Sequence, residues 1–200
     1  MVKKALQVML LCVICNSAAS AKTLLVLGDS LSAGYGIRVE QGWVQRLQAK
    51  LGDSYQVVNA SVSGHTSAEG LARLPTLLEN YRPDIVMIEL GGNDGLRGYP
   101  VRTLKANLER LIESSLQAGA SVLTLGMRIP PNYGARYARQ FEGVFESLAD
   151  IPGVVVVPFL LDGIALHPEM MQQDGIHPTE AAQQKMLENV WPYLQPLLSR

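Results

Sequence analysis

The stretch Thr23–Gly34, which reads TLLVLGDSLSAG, decides the fold, because an apolar run stops in it at three small or polar residues. The run Thr23–Leu27 is continuous rather than alternating, which is typical of a strand buried on both faces. Gly28, Asp29 and Ser30 follow it directly. Two explanations are open: a turn that caps a helix, or a reactive serine held at the end of a strand.

Four further apolar runs repeat the pattern along the chain. They are Val57–Val58, Ile85–Leu90, Val122–Leu125 and Val154–Val157. The segments between them carry apolar residues at helical spacing. A last helix is predicted from near Thr179, with Pro192 and Pro196 limiting it. This alternation predicts one α/β domain over residues 21–200, a three-layer fold with a five-stranded parallel sheet covered by helices on both faces.

The charge balance of the chain excludes some classes of partner. The 200 residues include 17 lysines and arginines against 18 aspartates and glutamates. No basic excess is available to attract nucleic acid or an anionic membrane surface. We therefore expect a small-molecule ligand rather than a nucleic acid.

The N-terminus has the composition of a secretory signal peptide over residues 1–20, with cleavage within two residues of that boundary. Lys3 and Lys4 precede an apolar core at residues 5–14, and small or polar residues follow. The core is shorter than the roughly 20 residues that a membrane anchor needs. We expect a periplasmic or extracellular protein without a stable anchor after cleavage; an uncleaved anchor is the alternative.

The two cysteines, Cys12 and Cys15, both lie in this leader. A chain that begins near residue 21 has no cysteine left. The sequence therefore predicts no internal disulfide, no thiol nucleophile and no cysteine-ligated zinc site in the mature protein.

Polar residues follow each predicted strand. They are GDS at 28–30, NASVSG at 59–64, GGND at 91–94, RIPPN at 128–132, and DGIH at 174–177 in the long loop after the fifth strand. Ligands of parallel sheets bind at the carboxyl ends of the strands. We therefore expect these groups to converge at one edge of the sheet.

That convergence suits acyl-transfer chemistry. A serine hydroxyl needs a base within hydrogen-bond reach, and the base needs an acid that orients it. Of the histidines His65, His167 and His177, His177 has Asp174 three residues before it, with Gly175 allowing a tight turn between them. Ser30, His177 and Asp174 are the candidate catalytic residues.

A tetrahedral intermediate also needs hydrogen-bond donors for its oxyanion. The backbone N–H of Ser30 can donate if a helix starts there. The Gly64 N–H lies where no side chain blocks a substrate, and Asn93 follows two glycines and carries an amide. These three form the candidate oxyanion hole.

Four ordered blocks resemble the SGNH (GDSL-type) hydrolase superfamily: GDS, the glycine of SVSGHTS, GGND, and DGIHP near the C-terminus. The stretches TLLVLGDSLSAGY, GLARLP, ELGGNDGLRG and DGIHP are most similar to its branch of bacterial periplasmic esterases and thioesterases, which are also described as lysophospholipases and arylesterases. The resemblance covers essentially the whole chain after the leader. It implies a flavodoxin-like sheet of strand order 2-1-3-4-5, the triad Ser30, His177 and Asp174, and Ser30, Gly64 and Asn93 as oxyanion donors.

Plainer interpretations stand beside this one. Ser30 can be a helix cap, Gly64 a turn glycine and Asn93 a turn residue. Asp94 is interpreted as structural, His65 as a loop residue and Ser32 as helical surface. A metal site at His167, Asp174 and His177 is another interpretation, but it leaves Ser30 and Asn93 unexplained. Phosphate binding at the loop after the first strand is disfavoured, because this loop lacks the lysine and the glycine-rich run of a P-loop.

The function predicted from sequence is a serine hydrolase of acyl esters and thioesters that needs no metal or organic cofactor and acts as a monomer. An apolar acyl pocket is expected. Its candidate walls are Ile129 and Pro130 together with a loop that can move over the bound acyl chain. The loop is formed by Gly95, Leu96, Arg97, Gly98, Tyr99 and Pro100. A carbohydrate O-deacetylase and a non-catalytic binding protein are the alternatives.

Overall fold

The computed structural model describes residues 21–199, so the predicted leader at 1–20 lies outside the described residues. These residues contain a five-stranded parallel sheet of order β2-β1-β3-β4-β5, which confirms the predicted fold class and strand order. The strands are β1 Lys22–Gly28, β2 Tyr55–Asn59, β3 Ile85–Glu89, β4 Ser121–Leu125 and β5 Val154–Val157.

Seven α-helices accompany the strands in this part of the chain. They are α1 Ser30–Ala33, α2 Trp43–Leu51, α3 Ser67–Tyr81, α4 Gly92–Leu96, α5 Val101–Gln117, α6 Ala135–Leu148 and α7 Gln183–Leu198. No helix within 21–199 is long and apolar enough to cross a membrane.

The last helix differs from its prediction at both ends. It begins at Gln183, after a 3-10 turn at Glu180–Ala182, and it continues through Pro192 and Pro196 to Leu198. Each proline removes one backbone hydrogen bond. Because Leu194 and Leu197 are buried against the sheet, packing offsets that loss and the helix does not end.

The sheet separates two apolar cores. Leu24 and Val26 of β1 face α2 and α7, whereas Leu25 and Leu27 face α3, α5 and α6. Continuous apolar strands are thus explained by burial on both faces. The strand order reverses beside β1, since β2 lies on one side of it and β3 on the other. The carboxyl ends of β1 and β3 therefore meet at the switch point where ligands of such sheets bind.

Candidate active site

Ser30 lies at the end of β1, as the first residue of the short helix α1. Asp29 caps this helix, because its Oδ1 accepts a hydrogen bond from the Leu31 N–H at 3.1 Å. Among residues 21–199 no acceptor engages the backbone N–H of Ser30. The turn therefore presents both the hydroxyl and the N–H of Ser30 at the carboxyl edge of the sheet.

His177 reaches Ser30 from the far end of the chain. Its Nε2 lies 2.9 Å from the Ser30 Oγ. The loop that carries it is closed by a bridge between Met171 and Pro178 and by a hydrogen bond of 2.7 Å from the Gln172 N–H to the His177 carbonyl. The structure thus brings together two residues that are 147 positions apart.

Asp174 completes this chain of contacts. Its Oδ2 lies 2.6 Å from the His177 Nδ1, and its Oδ1 accepts from the backbone N–H groups of Ile176 and His177 at 2.9 and 3.0 Å. Gly175 has a φ of +65°, a conformation that a glycine adopts without strain, and this tightens the turn.

The hydrogen bonds of Asp174 set its charge. Desolvation raises the pKa of Asp174, but hydrogen bonds from the His177 ring and from the His177 and Ile176 N–H groups outweigh it and lower the pKa from 3.8 to about 2. The carboxylate is therefore ionised at neutral pH and only accepts hydrogen bonds. It favours the tautomer with a proton on Nδ1, which leaves Nε2 free to accept from Ser30.

Tyr35 is a neighbour of His177 that the sequence analysis missed. Its ring centroid lies 4.4 Å from that of the imidazole, with the planes tilted by 38°. The Tyr35 carbonyl accepts from the Gln172 side chain at 2.8 Å, which ties the segment after α1 to the loop that carries His177. An aromatic residue five positions after a candidate serine gives no sequence signal that distinguishes it from surface.

The two other candidate oxyanion donors follow β2 and β3, and of the two only Asn93 lines the cavity that contains Ser30. Asn93 belongs to α4, and its Nδ2 is 2.9 Å from the Asp29 Oδ2 and 3.0 Å from the His65 carbonyl. These acceptors fix the amide's orientation. Gly64 has a φ of +82°, and within 21–199 its N–H has no acceptor, while its carbonyl accepts from the Arg97 guanidinium at 2.8 Å.

Two acidic side chains lie buried beneath Ser30, and the sequence analysis assigned neither a role. The Glu89 Oε2 accepts from the Asp29 N–H at 3.1 Å and from the Ser32 hydroxyl at 2.7 Å. Ser32 is 3% exposed, so its interpretation as helical surface was wrong. Burial raises the pKa of both carboxyls, and that of Glu89 is raised further by the charge of Asp29.

Asp94, His65 and His167, the other polar residues considered in the sequence, make contacts outside the chain from Ser30 to Asp174. Asp94 is buried and accepts from the backbone and hydroxyl of Ser67 at 2.8 and 2.6 Å, a structural contact like the one predicted for it. His65 offers its carbonyl to Asn93. The Nδ1 of His167 is 3.2 Å from Glu169, away from Asp174. Among the described residues no group of three or more histidine, cysteine or acidic side chains could hold a metal ion.

A cavity of about 700 Å³ opens at Ser30 and His177. The polar residues that line it include Asp29, Asn93, Arg128, Asp162 and His167. Its apolar walls include Leu96, Met127, Ile129, Pro130, Phe159, Leu160, Leu161, Leu166 and Met171. The segment 159–171 was missed, because it lacks the periodicity that would indicate one buried face.

Only some of the predicted pocket residues line the cavity. Leu96, Ile129 and Pro130 line the cavity, whereas its lining does not include Gly95, Arg97, Gly98, Tyr99 or Pro100. Gly95 lies inside α4, and a Cβ there would come within 2.6 Å of both Ile129 and Phe141. Its lack of a side chain thus serves close packing. Gly98 has a φ of +67°, a conformation that favours glycine, and its N–H donates to the Gly95 carbonyl at 3.0 Å.

Comparison with known proteins agrees with this architecture. Residues 26–185 match the profile of the GDSL-like lipase/acylhydrolase family. The chain is 52% identical over 189 residues to Esterase TesA of Pseudomonas aeruginosa, and this alignment covers 93% of this chain and 94% of that protein. It is 43% identical over 182 residues to a protein of Escherichia coli named thioesterase 1/protease 1/lysophospholipase L1, with 91% of this chain and 88% of that protein covered.

A solved structure extends the likeness to three dimensions. The psychrotrophic esterase EstA from Pseudoalteromonas, in a structure inhibited by monoethylphosphonate, superposes with a TM-score of 0.82 at 40% identity, covering 90% of this chain and all of that one. The predicted resemblance to the SGNH (GDSL-type) hydrolases is thereby confirmed, and the chain belongs to the GDSL-like lipase/acylhydrolase family.

Proposed function

We propose that this protein hydrolyses acyl esters and thioesters through an acyl-enzyme intermediate on Ser30. One observation carries the assignment: the chain of contacts from Ser30 to His177 and on to Asp174, at 2.9 and 2.6 Å, at the mouth of an apolar cavity. The arrangement is that of a nucleophile, a base and an orienting acid.

The proposed reaction has two halves. The Ser30 Oγ attacks the acyl carbonyl carbon while its proton passes to the His177 Nε2. The carbon–oxygen or carbon–sulfur bond to the leaving group then breaks, and His177 returns that proton to the departing alcohol or thiol. A water molecule attacks the acyl-enzyme, again with His177 as base, and the acid product leaves as Ser30 recovers its proton.

The oxyanion that forms in each half needs donors at the end of β1. The N–H groups of Ser30 and Gly64 support this role, since no acceptor engages them within residues 21–199. The Asn93 amide is the third proposed donor, and it must share or exchange one of its acceptors, Asp29 or His65, when the oxyanion forms. The Ser30 and Gly64 N–H groups need no such exchange, and donors fixed before the reaction cost no reorganisation during it.

The apolar lining of the cavity supports the transfer of a long acyl chain rather than of an acetyl group. The walls beyond Ser30 are mostly leucine, isoleucine, methionine and phenylalanine side chains. An O-deacetylase would need only a shallow polar pocket. The similar proteins are named esterase and thioesterase/lysophospholipase, which agrees with a long acyl group.

The setting in which this reaction occurs is proposed from sequence. We propose that residues 1–20 are removed on export and that the enzyme acts in the periplasm as a monomer. Its partner is then a small-molecule ester or thioester.

The test is a panel of p-nitrophenyl esters from acetate to palmitate, assayed beside palmitoyl-CoA and lysophosphatidylcholine. Wild-type kcat/KM should rise from acetate to longer chains, and Ser30→Ala should lower kcat by about 10⁴-fold or more on every substrate. A maximum at acetate would favour the O-deacetylase. Activity retained by a folded Ser30→Ala protein would overturn the proposed nucleophile.

A further inference from the structure

Glu89 is the last residue of β3, and its fully buried side chain lies beneath the turn that carries Ser30. Its Oε2 accepts from two donors on that turn, the Asp29 N–H at 3.1 Å and the Ser32 hydroxyl at 2.7 Å. The two donors lie immediately before Ser30 and two residues after it. The proposed reaction gives this carboxyl no role.

The backbone of β1 is shaped to admit this carboxyl. Gly28 is paired with Glu89 in the sheet, and a Cβ at Gly28 would lie 2.6 Å from the Glu89 Oε2 and 2.8 Å from the Ser61 hydroxyl. Any side chain at Gly28 would therefore displace the carboxyl or the turn. Contact between the turn and Glu89 requires both the glycine and the acid.

The segment that Glu89 holds also orients Asn93. The Asp29 N–H donates to Glu89, while the Asp29 side chain accepts from Leu31 on one oxygen and from Asn93 on the other. A shift of Asp29 would move the nucleophile turn and release the amide together. Single displacements of about 1 Å at a reacting centre can cost 100-fold in rate.

We propose that Glu89 is a positioning residue for the reaction proposed above: by holding residues 28–32 it keeps Ser30 and Asn93 in place. It acts through Asp29 and Ser32 and does not touch the substrate. The inference rests on the proposed function, since its readout is the rate of that reaction.

The surroundings of Glu89 indicate that it does this in its neutral form. The charged group that acts on it is Asp29, which itself interacts with His177, and its Oε2 accepts from the Ser32 hydroxyl. Its Oε1 is buried and has no hydrogen-bond partner within residues 21–199. Burial and the Asp29 charge both raise the pKa of Glu89 well above its ordinary value. A glutamine is likewise neutral and similar in size and keeps an acceptor oxygen for both donors, while its NH₂ takes the place of the unpartnered Oε1.

The experiment compares Glu89→Gln with Glu89→Met, measuring kcat and KM on p-nitrophenyl butyrate and the melting temperature. Glu89→Gln should keep kcat within about threefold of wild type. Glu89→Met fills a similar volume but leaves the Asp29 N–H and the Ser32 hydroxyl without an acceptor, so kcat should fall by about 10- to 100-fold at a KM within threefold.

Two serines supply a matched control for loss of a buried hydroxyl. Ser32 donates to Glu89, whereas Ser115 donates to the Leu111 carbonyl within α5, in the core and away from Ser30. Ser32→Ala should lower kcat at least threefold, and Ser115→Ala should change only the melting temperature.

A Glu89→Met protein that melts lower but keeps wild-type kcat would show a purely structural role and overturn the proposal. So would a Glu89→Gln protein as slow as Glu89→Met. Ser30→Ala is measured in parallel: if it keeps wild-type activity, the proposed function itself has failed, which is a different result from failure of the Glu89 variants alone.

Discussion

Replacing Glu89 by glutamine is expected to change how the stability of the fold depends on pH. The carboxyl is fully buried, and burial together with the Asp29 charge raises its pKa well above 4.5. Glutamine keeps an acceptor for the Asp29 N–H and the Ser32 hydroxyl but has no proton to lose. The two proteins therefore differ in whether the side chain at position 89 can titrate.

The sign and size follow from proton linkage. Between about pH 4.5 and the raised pKa of Glu89, the unfolded chain has released a proton that the folded chain still holds. The contribution of Glu89 is thus fully present below pH 4.5 and is lost as pH rises through the folded pKa. In that window the free energy of unfolding of the wild type falls by about 1.4 kcal/mol per pH unit from this group.

The assay is urea denaturation followed by circular dichroism at unit steps from pH 4.5 to 7.5. The stability of Glu89→Gln minus that of the wild type should grow with pH, by up to about 1.4 kcal/mol per unit. Asp29 titrates in both proteins, and because its charge interacts with Glu89, the difference reports the removal of Glu89 from this coupled pair. Ser115→Ala serves as the control, and its curve should run parallel to the wild type. Parallel curves for Glu89→Gln would mean that the buried carboxyl is already ionised in the fold, and the reasoning would be refuted.

Three further substitutions test the proposed site. Asn93→Ala should lower kcat by about 10²–10³-fold at similar KM, and it should also lower stability, because Asp29 and the His65 carbonyl lose a donor; a kcat within threefold of wild type in steady-state assays would show that other donors hold the oxyanion. Asp174→Asn should lower kcat by about 10⁴-fold, because two backbone N–H groups hold the amide oxygen and leave its NH₂ facing the His177 Nδ1; near wild-type rates across pH 6–9 would contradict the proposed role of Asp174 as the acid that orients His177. Leu96→Ala should slow octanoyl ester hydrolysis about 10-fold more than acetyl ester hydrolysis, since Leu96 lines the cavity and burial is worth roughly 0.8 kcal/mol per CH₂; equal losses would place the acyl chain elsewhere.

The parts of the molecule that the sequence predicts are those with a local pattern. The apolar run at 23–27 indicates a buried strand, and the DGIH spacing places Asp174 within reach of the His177 ring. Five such strands with intervening helices determine the parallel sheet, whose order was taken from the family resemblance and is confirmed. Features that depend on a single turn or on one face of an element were therefore predictable from a short stretch of sequence.

The missed features depend on tertiary contacts. Ser32 reads as the surface of a short helix, but α1 turns it inward onto Glu89, which comes from another strand. Glu89 itself carries a signal in the sequence: it is a lone acid near the end of the apolar run Ile85–Leu90, and a buried polar group needs hydrogen-bond partners. Gly95 was predicted to belong to a mobile loop, whereas in the fold it lies in α4 and its missing side chain admits Ile129 and Phe141.

The central claim is that Ser30 is the nucleophile, and labelling with a fluorophosphonate tests it most directly. Attack by the Ser30 Oγ on phosphorus would expel fluoride and leave one covalent adduct per chain. Mass spectrometry of the intact protein and fragmentation of the peptide that contains both serines should place the adduct on Ser30 and not on Ser32. Ser32→Ala should still be labelled, and Ser30→Ala should not. An adduct on any other residue, or undiminished labelling of a folded Ser30→Ala protein, would contradict the account.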